Sequence, residues 1–507
     1  MSKPTNLNSK YKLKNTLTTL SAGALVLAAL DEVHAQYTPP PPPAPFQGFI
    51  NEFFRAKDPY MNQWDFGGEI RVRFEAKEHI GVQGRASSAD FRDHGVDNDN
   101  EYLLTRIRFH VGYTEKWWSV YGEAQSSLAT SDERAAYANV PAVAGTKKKL
   151  GYGPESDTID LHQAYFTVGN HKEFPLSLKA GRQELNYGDE RLIGAFNWNN
   201  IGRSFDATKL RWQNEWFGVD FFSGMPVVPR DGQFDMPNNQ DWLSGAYATS
   251  MKIPKTILED YFLARNASRQ VINFVSDPQF PQPTARDIYT LGGRLKSKPG
   301  ELGGWDYTLE GAYQFGDFAA TATSKRLTQD AYMFTAQGGY TFADLWATPR
   351  LGAEFDYSSG DDNPKDGTHG TFDNLFPTNH KFYGSMDLIS LQNIEDLGVK
   401  LTLKPTSRMS VAFMGNALWL ADTHDAFYGV TGGARPAPYA VNATTAGYGS
   451  FVGTEFTAVA GYAVTRFAQV EAGYGHFFTG DYVHRSLAAV GGDRDADWVY
   501  VQTTIKF

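Results

Sequence analysis

Apolar and polar residues alternate along most of the chain. In "DFGGEIRVRFEA", Phe66, Ile70, Val72 and Phe74 fall on one parity, while Glu69, Arg71, Arg73 and Glu75 fall on the other. In "LLTRIRFHVGY", Ile107, Phe109 and Val111 oppose Arg106, Arg108 and His110. The segments "WDYTLEGAYQFG", "PRLGAEFDYS", "LGVKLTLKP" and "AQVEAGYGHFF" repeat the pattern. A period of two marks a strand with one oily and one wet face. Each segment runs for about ten residues, the span of a tilted strand across a bilayer. The chain closes on such a strand, "ADWVYVQTTIKF", with Val499, Val501, Ile505 and Phe507 on one side and Tyr500, Gln502, Thr504 and Lys506 on the other. A terminus this regular is expected to pair with the first strand, near Asp65, and close a sheet on itself.

The connections alternate as well. Short turns fall around Thr114–Lys116, Asn170–Phe174, Asn214–Glu215, Ile253–Lys255, Ser297–Gly304, Ala343–Thr348, Pro405–Arg408 and Val464–Arg466. Between them lie long polar stretches rich in Gly and Pro, such as Ala129–Asp157, Gly224–Gln240 and Ala417–Ser450. Short–long alternation predicts an all-β fold: a transmembrane antiparallel β-barrel of about 18 strands, with short periplasmic turns and long extracellular loops. Trp117, Trp118, Trp212, Trp216, Phe217, Trp305, Phe342 and Trp346 sit beside the short turns. Rings gather where membrane meets water, so these residues are expected to form the inner girdle. Phe507 is expected to face lipid at that same boundary and to take part in assembly.

Composition narrows the picture. Hydrophobic residues make up 41% of the 507 positions and aromatics 14%, with 49 glycines, which suits many strands joined by turns. The absence of cysteine excludes disulfides, thiolate metal sites, a cysteine nucleophile and an N-terminal lipid anchor. Residues 1–35 read as a signal peptide: Lys10, Lys12 and Lys14, then an apolar stretch from Leu17 to Leu30, then "VHA". Cleavage after Ala35 removes four lysines and two acids, taking the formal charge from −10 to −12. Nucleic acid is then an unexpected partner, because no basic footprint remains. Residues 36–63, opening "QYTPPPPPAPF", form a Pro-rich periplasmic leader, read as a linker in preference to a ligand for a periplasmic partner. Residues 64–507 are the barrel domain.

Two motifs carry a family resemblance. "GRQELNYGDERLIGAFNWNNIGRSFDATKLRW" (Gly181–Trp212) and "SSGDDNPKDGTHGTFDNLFPTNHKFYG" (Ser358–Gly384), with "LEGAYQFG" (Leu309–Gly316), resemble the alginate-export family of outer-membrane barrels. The resemblance implies an eighteen-stranded, monomeric pore in the bacterial outer membrane, in contact with its lipids and lipopolysaccharide. It also implies lumen arginines that guide an anionic polyuronate. The expected function is passage of an anionic solute, a carboxylated polysaccharide such as alginate, with a general or small-organic-acid porin as the alternative.

Strand parity sends Arg71, Arg73, Arg106, Arg108, Lys209, Arg211, Arg294 and Arg350 into the lumen, facing Glu69, Glu123, Glu310 and Glu354. Arg182 shares the parity of Leu178 and Ala180, and only the family resemblance places it in the pore. The set reads either as a mesh of ion pairs or as a cationic constriction whose planar guanidinium forks match carboxylates. No catalytic residue, metal or cofactor is expected. His110 and His162 lie on strands, and His79, His369, His380, His424 and His484 in or near loops, with no local motif joining any of them to a nucleophile. The acidic runs "DHGVDNDNE" and "GDDNPKDG" miss the calcium-loop spacing: counting from Asp361, position five is Lys365 and position twelve is Phe372.

Overall fold

In the computed structural model, the described residues are 48–80, 89–136, 154–268, 285–319, 324–435, 438–440, 442 and 444–507. Residues 1–35, read as a signal peptide, and the proline run lie outside them. The wall begins with β1 (Trp64–Glu78), β2 (Asn100–Thr114), β3 (Trp118–Thr130), β4 (Asp157–Gly169), β5 (Leu176–Gln183) and β6 (Phe205–Gln213). It continues through β7 (Phe217–Val228), β8 (Asp241–Ser250), β9 (Thr256–Ala267), β10 (Arg286–Ser297), β11 (Trp305–Phe318) and β12 (Leu327–Thr341). It ends with β13 (Arg350–Ser358), β14 (Ile394–Thr406), β15 (Met409–Trp419), β16 (Phe451–Ala463), β17 (Ala468–Thr479) and β18 (Ala496–Lys506). Each strand pairs antiparallel with its sequence neighbours, and β18 returns to β1 from Glu69↔Lys506 to Glu78↔Asp497. The eighteen-stranded barrel is closed, so the wall leaves no unpaired edge.

Burial follows the alternation. Ile107 and Phe109 on β2 are exposed, as are Val499 and Val501 on β18, whereas Arg106, Trp498 and Tyr500 are buried. In water this would be inside out; in a bilayer the exposed parity is the lipid face. No helix among the described residues is long and apolar enough to cross a membrane. At the short turns, Trp117, Trp118, Trp216, Phe217, Trp305, Phe342 and Trp346 are exposed, and Trp212 packs its ring 5.4 Å from Phe217.

The seam between first and last strands is latched at its periplasmic end. Gly68 and Phe507 exchange backbone hydrogen bonds of 3.0 and 3.1 Å. The Phe507 ring fills the outward space over Gly68, where an added Cβ would lie 2.5 Å from the ring and 2.3 Å from the Arg108 carbonyl oxygen. Within the leader, residues 48–63 are structured. A helix, α1 (Phe49–Arg55), sets Asn51 against the start of β1, where its side chain accepts from Phe66 N (2.8 Å) and donates to Asp65 (2.6 Å). Phe49 packs its ring 4.8 Å from that of Phe467, and Glu52 pairs with Arg466 at 2.7 Å. The helix ties this segment to the barrel, while the proline run read as a linker lies outside the described residues.

The hydrophobic core lies within the barrel. Two connections, residues 184–204 between β5 and β6 and residues 359–393 between β13 and β14, carry Leu185, Leu192, Ile193, Phe372, Phe376 and Leu391 into one buried cluster with inward wall residues Phe205, Phe222 and Tyr261.

Candidate functional site: a lumen crossed by two inward loops

The two inward connections coincide with the two long sequence motifs. They meet in a short parallel bridge, Ile193↔Phe376, with Gly194 N donating to Phe376 O (2.8 Å) and Phe376 N to Leu192 O (2.9 Å). Gly194 permits the approach, since a Cβ there would sit 2.3 Å from Thr378 Oγ1. Thr378 Oγ1 donates to Glu190 (2.7 Å), and Lys381 pairs with the same carboxylate at 2.6 Å.

Arginines from the wall clamp the first loop on one side. Arg71 donates to the carbonyls of Asn197 (2.7 Å) and Asn199 (3.0 Å), and Arg73 to that of Trp198 (2.8 Å). The Arg73 guanidinium also stacks 3.8 Å from the Trp198 ring and pairs with Glu75 at 2.7 Å. Arg106 shares the Asn197 carbonyl (3.0 Å) and pairs with Glu69 at 2.7 Å. Arg108 bonds Gln125 at 2.5 Å, pairs with Glu184 of the loop at 3.5 Å, and lies 4.0 Å from Glu123. On the other side the loop supplies its own cation: Arg191 reaches Asp356 (2.8 Å), Glu354 (3.0 Å) and the Tyr383 hydroxyl (2.7 Å). Glu310, 3.9 Å from Arg191, accepts from the Tyr261 hydroxyl.

Parity therefore sends Arg71, Arg73 and Arg106 inward as expected, but the loop covers them; the Arg73 side chain is 1% exposed. They hold loop carbonyls and do not front an open pore. Arg294 lies between Glu259 (2.5 Å) and Asp189 (2.6 Å). Lys209 and Arg211 share Asp220 at 3.3 and 2.7 Å, and Arg350 pairs with Asp306 at 2.5 Å. Arg182 corrects the reading taken from the family. Its register, opposite Ala164 and Asp206, keeps it on the outward parity of Leu178 and Ala180. Its guanidinium binds Asp206 (2.8 Å) and the Asp235 carbonyl (2.9 Å) at the outer rim, beside the Phe234 ring.

A cavity of about 590 Å³ opens on the outer side of the bridged loops. Arg203, Arg265 and Arg286 line it with Phe196, Phe318 and Phe376. Arg265 pairs with Asp241 (2.8 Å) and Asp373 (3.3 Å), and Arg286 with Asp373. Burial alone would push the Asp373 carboxyl up, but Arg286 and Arg265 outweigh it and hold it down at about 2. Arg203 differs from its neighbours. It has no carboxylate partner among the described residues: Nη1 donates to the carbonyls of Gly194 (3.0 Å) and Pro377 (2.9 Å), leaving Nε and Nη2 unengaged. Burial and nearby Arg265 draw its guanidinium down to about 9, against the pull of Glu190. The outer side of the cavity carries Asp361 and Asp425, and Asp425 is occupied in bracing loops through Asp361 N (3.0 Å) and Thr371 Oγ1 (2.6 Å).

Arg191, Arg203, Arg265, Arg286 and Asp373 were not singled out from the sequence. Arg191 and Arg203 lie within the quoted motif but on no strand, so parity gave them no direction. Arg265 lies on a strand and shares parity with buried Tyr261 and Leu263, so alternation alone gives its direction.

A family model described as alginate export matches residues 62–497. The chain belongs to the alginate-export family. Solved structures with the same fold include OccAB1 of Acinetobacter baumannii (TM-score 0.55, 10% identity, covering 88% of this chain and 97% of that one). OccAB4 of the same organism gives TM-score 0.53 at 11% identity, over 88% of this chain and 98% of the other. OpdK of Pseudomonas aeruginosa, solved with vanillate, gives 0.52 at 10%, over 87% and 98%. No curated protein matches. This alginate-export family member is a bacterial outer-membrane β-barrel of the channel-forming kind.

Proposed function

We propose that the barrel is a monomeric, non-catalytic channel for carboxylate-bearing solutes, and that its working set is the cavity arginines Arg203, Arg265 and Arg286. The carrying observation is Arg203, a half-buried guanidinium with two nitrogens unengaged and no carboxylate partner among the described residues. A planar fork of that kind binds a carboxylate through paired, charge-assisted hydrogen bonds. The flanking aromatics favour an acid with an apolar or ring-bearing body. A cavity of about 590 Å³, bounded by two bridged loops, suits one small organic acid at a time. OpdK, which shares the fold, was solved with an aromatic acid, vanillate. The second reading, a uronate polymer threaded past the same arginines, is supported by the family's description.

Planar-bilayer recording tests both. The channel should prefer anions, and an aromatic monocarboxylate should interrupt the current more strongly than oligomeric polyuronate. Stronger block by polyuronate would favour the polymer. Cation selectivity, with response to neither, would overturn the anion-channel reading altogether.

A further inference from the structure

At the outer rim three aspartates converge. Asp157 and Asp160 stand at the outer end of β4, and Asp235 comes from the connection between β7 and β8. One carboxylate oxygen from each lies within 4.8 Å of the others, and the three residues are 2%, 7% and 6% exposed. Ionised carboxylates are acceptors only, so crowding three of them out of water is costly unless a cation or a shared proton joins them. Several of their oxygens have partners: Asp160 accepts from Leu161 N and Asp235 N (both 2.5 Å), and Asp235 accepts from Arg230 N at 2.6 Å. Arg182 lies 3.5 Å from Asp160, but its fork is directed at Asp206. Asp231, bonded to Thr158, adds a further negative charge nearby. Two observations point beyond an acidic cluster. Asp157 Oδ1 is fully buried and has no hydrogen-bond partner. It borders a void of about 10 Å³, also lined by Asp160 and Asp235, which has room for one water-sized particle.

We propose that Asp157, Asp160 and Asp235 form a calcium site. Calcium accepts oxygen ligands in a flexible, irregular arrangement, which three carboxylates from two separate segments can supply, whereas magnesium demands a near-ideal octahedron. Ile201, Gly202 and Ser204 line the same void, so the ion would fasten the root of the first inward loop to the rim. The site stands whether or not the channel selects anions.

The test uses the folded barrel, freed of lipopolysaccharide and stripped of metal with chelator. Calorimetric titration with Ca²⁺ alone should show one saturable equivalent, and Ca²⁺ should raise the unfolding temperature. Replacing Asp157→Asn together with Asp235→Asn should weaken binding by about tenfold or more, since affinity follows ligand charge. Without metal, the variant should melt no lower than the parent, because it loses repulsion. Mg²⁺ should bind more weakly than Ca²⁺. Absence of a saturable equivalent in the parent overturns the site whatever the variant does. Equal affinity in parent and variant, or Mg²⁺ binding as tightly as Ca²⁺, overturns the assignment.

Discussion

Arg71, Arg73 and Arg106 sit beneath the first inward loop, and Arg203, Arg265 and Arg286 face the cavity above it. Both sets are guanidiniums directed into one lumen, yet the structure uses them differently. The lower set meets backbone carbonyls and buried carboxylates, so its positive charge serves to fix a loop across the barrel. In the upper set, Arg203 meets backbone carbonyls, has no carboxylate partner among the described residues, and keeps donors for something else. A count of inward arginines therefore says little about selectivity; what covers each of them decides.

The largest expected effect comes from breaking the lower set. Arg71→Met with Arg106→Met keeps side-chain bulk but leaves the carbonyls of Asn197 and Asn199 without these donors. An unsatisfied buried acceptor costs about 1–3 kcal/mol. The loop should detach, giving a conductance several times that of the parent and new protease cleavage within residues 197–201. Parent-like conductance and protease resistance would mean that Arg73, Arg108, Arg191 and the bridge to Phe376 suffice to hold the loop.

Next in size is Arg203→Gln, which should leave conductance near the parent value and lower anion preference. Block by a small carboxylate should weaken roughly tenfold, given about 1.5–3 kcal/mol for a charge-assisted bond. Arg203→Lys should recover part of the preference, because the charge returns without the fork. If Arg203→Gln changes conductance as much as the loop-releasing pair, the two sets are not distinct.

A third, smaller effect concerns pH and the second inward loop. His369 bonds Gln329 (2.8 Å) and stacks on Phe318 with ring centroids 3.7 Å apart. Burial pulls its pKa down to about 4, only partly opposed by Asp373. The unfolded loop takes up a proton near pH 6.5, before the folded one does. Stability from His369 is therefore complete above about pH 6.5 and is lost progressively as pH falls toward 4. Asp373 behaves differently: its folded pKa of about 2 lies below the usual carboxylate value, so its clamp on Arg265 and Arg286 is lost only as pH falls from about 4 through 2. Channel noise should rise between pH 6.5 and 4 in the parent but not in His369→Gln. Noise that first rises below pH 4 would show that Asp373 controls the loop.

The contrast between the arginine sets also shows what could be read from the sequence. The wall was legible because a strand in a bilayer repeats every two residues, and because tight turns carry their own residues. That is why Phe66, Ile107 and Val499 gave the lipid face, and why the eight short turns were found. Parity also gave the direction of Arg71 and Arg106. Their cover was hidden, because it comes from loop residues far away in sequence. The inward loops obey no period. The polar opening "SSGDDNPKDG" suggests a solvated loop, but the residues after it include Phe372, Leu375, Phe376, Phe382, Tyr383, Met386, Leu388, Ile389 and Leu391, all buried. So many large apolar side chains between two strands must be covered by something, and in a barrel the available cover is the lumen. That density was the missed signal. Arg182 differs again: its parity follows Leu178 and Ala180, and Asp206 and the Asp235 carbonyl take up its guanidinium at the outer rim.

The smallest effect is expected at the periplasmic mouth, where arginines are neither covered nor unengaged. Arg350 stands at the start of β13 and pairs with Asp306, their side chains 29% and 38% exposed. A pair this open contributes about 0–1 kcal/mol in water, less when salt screens it. Its charge is also balanced one for one by Asp306, unlike that of Arg203. Screening at physiological salt acts over about 8 Å, so a compensated pair at one end of the pore adds little to the field felt at the cavity. Arg350→Gln should therefore leave the reversal potential, the block by small carboxylates and the conductance within the scatter of repeated recordings. The measurement is sharpest beside Arg203→Gln under identical salt. If the two substitutions lower anion preference equally, then selectivity is spread along the lumen by net charge. In that case, whether a guanidinium is engaged by its own protein would not be what separates one arginine from another.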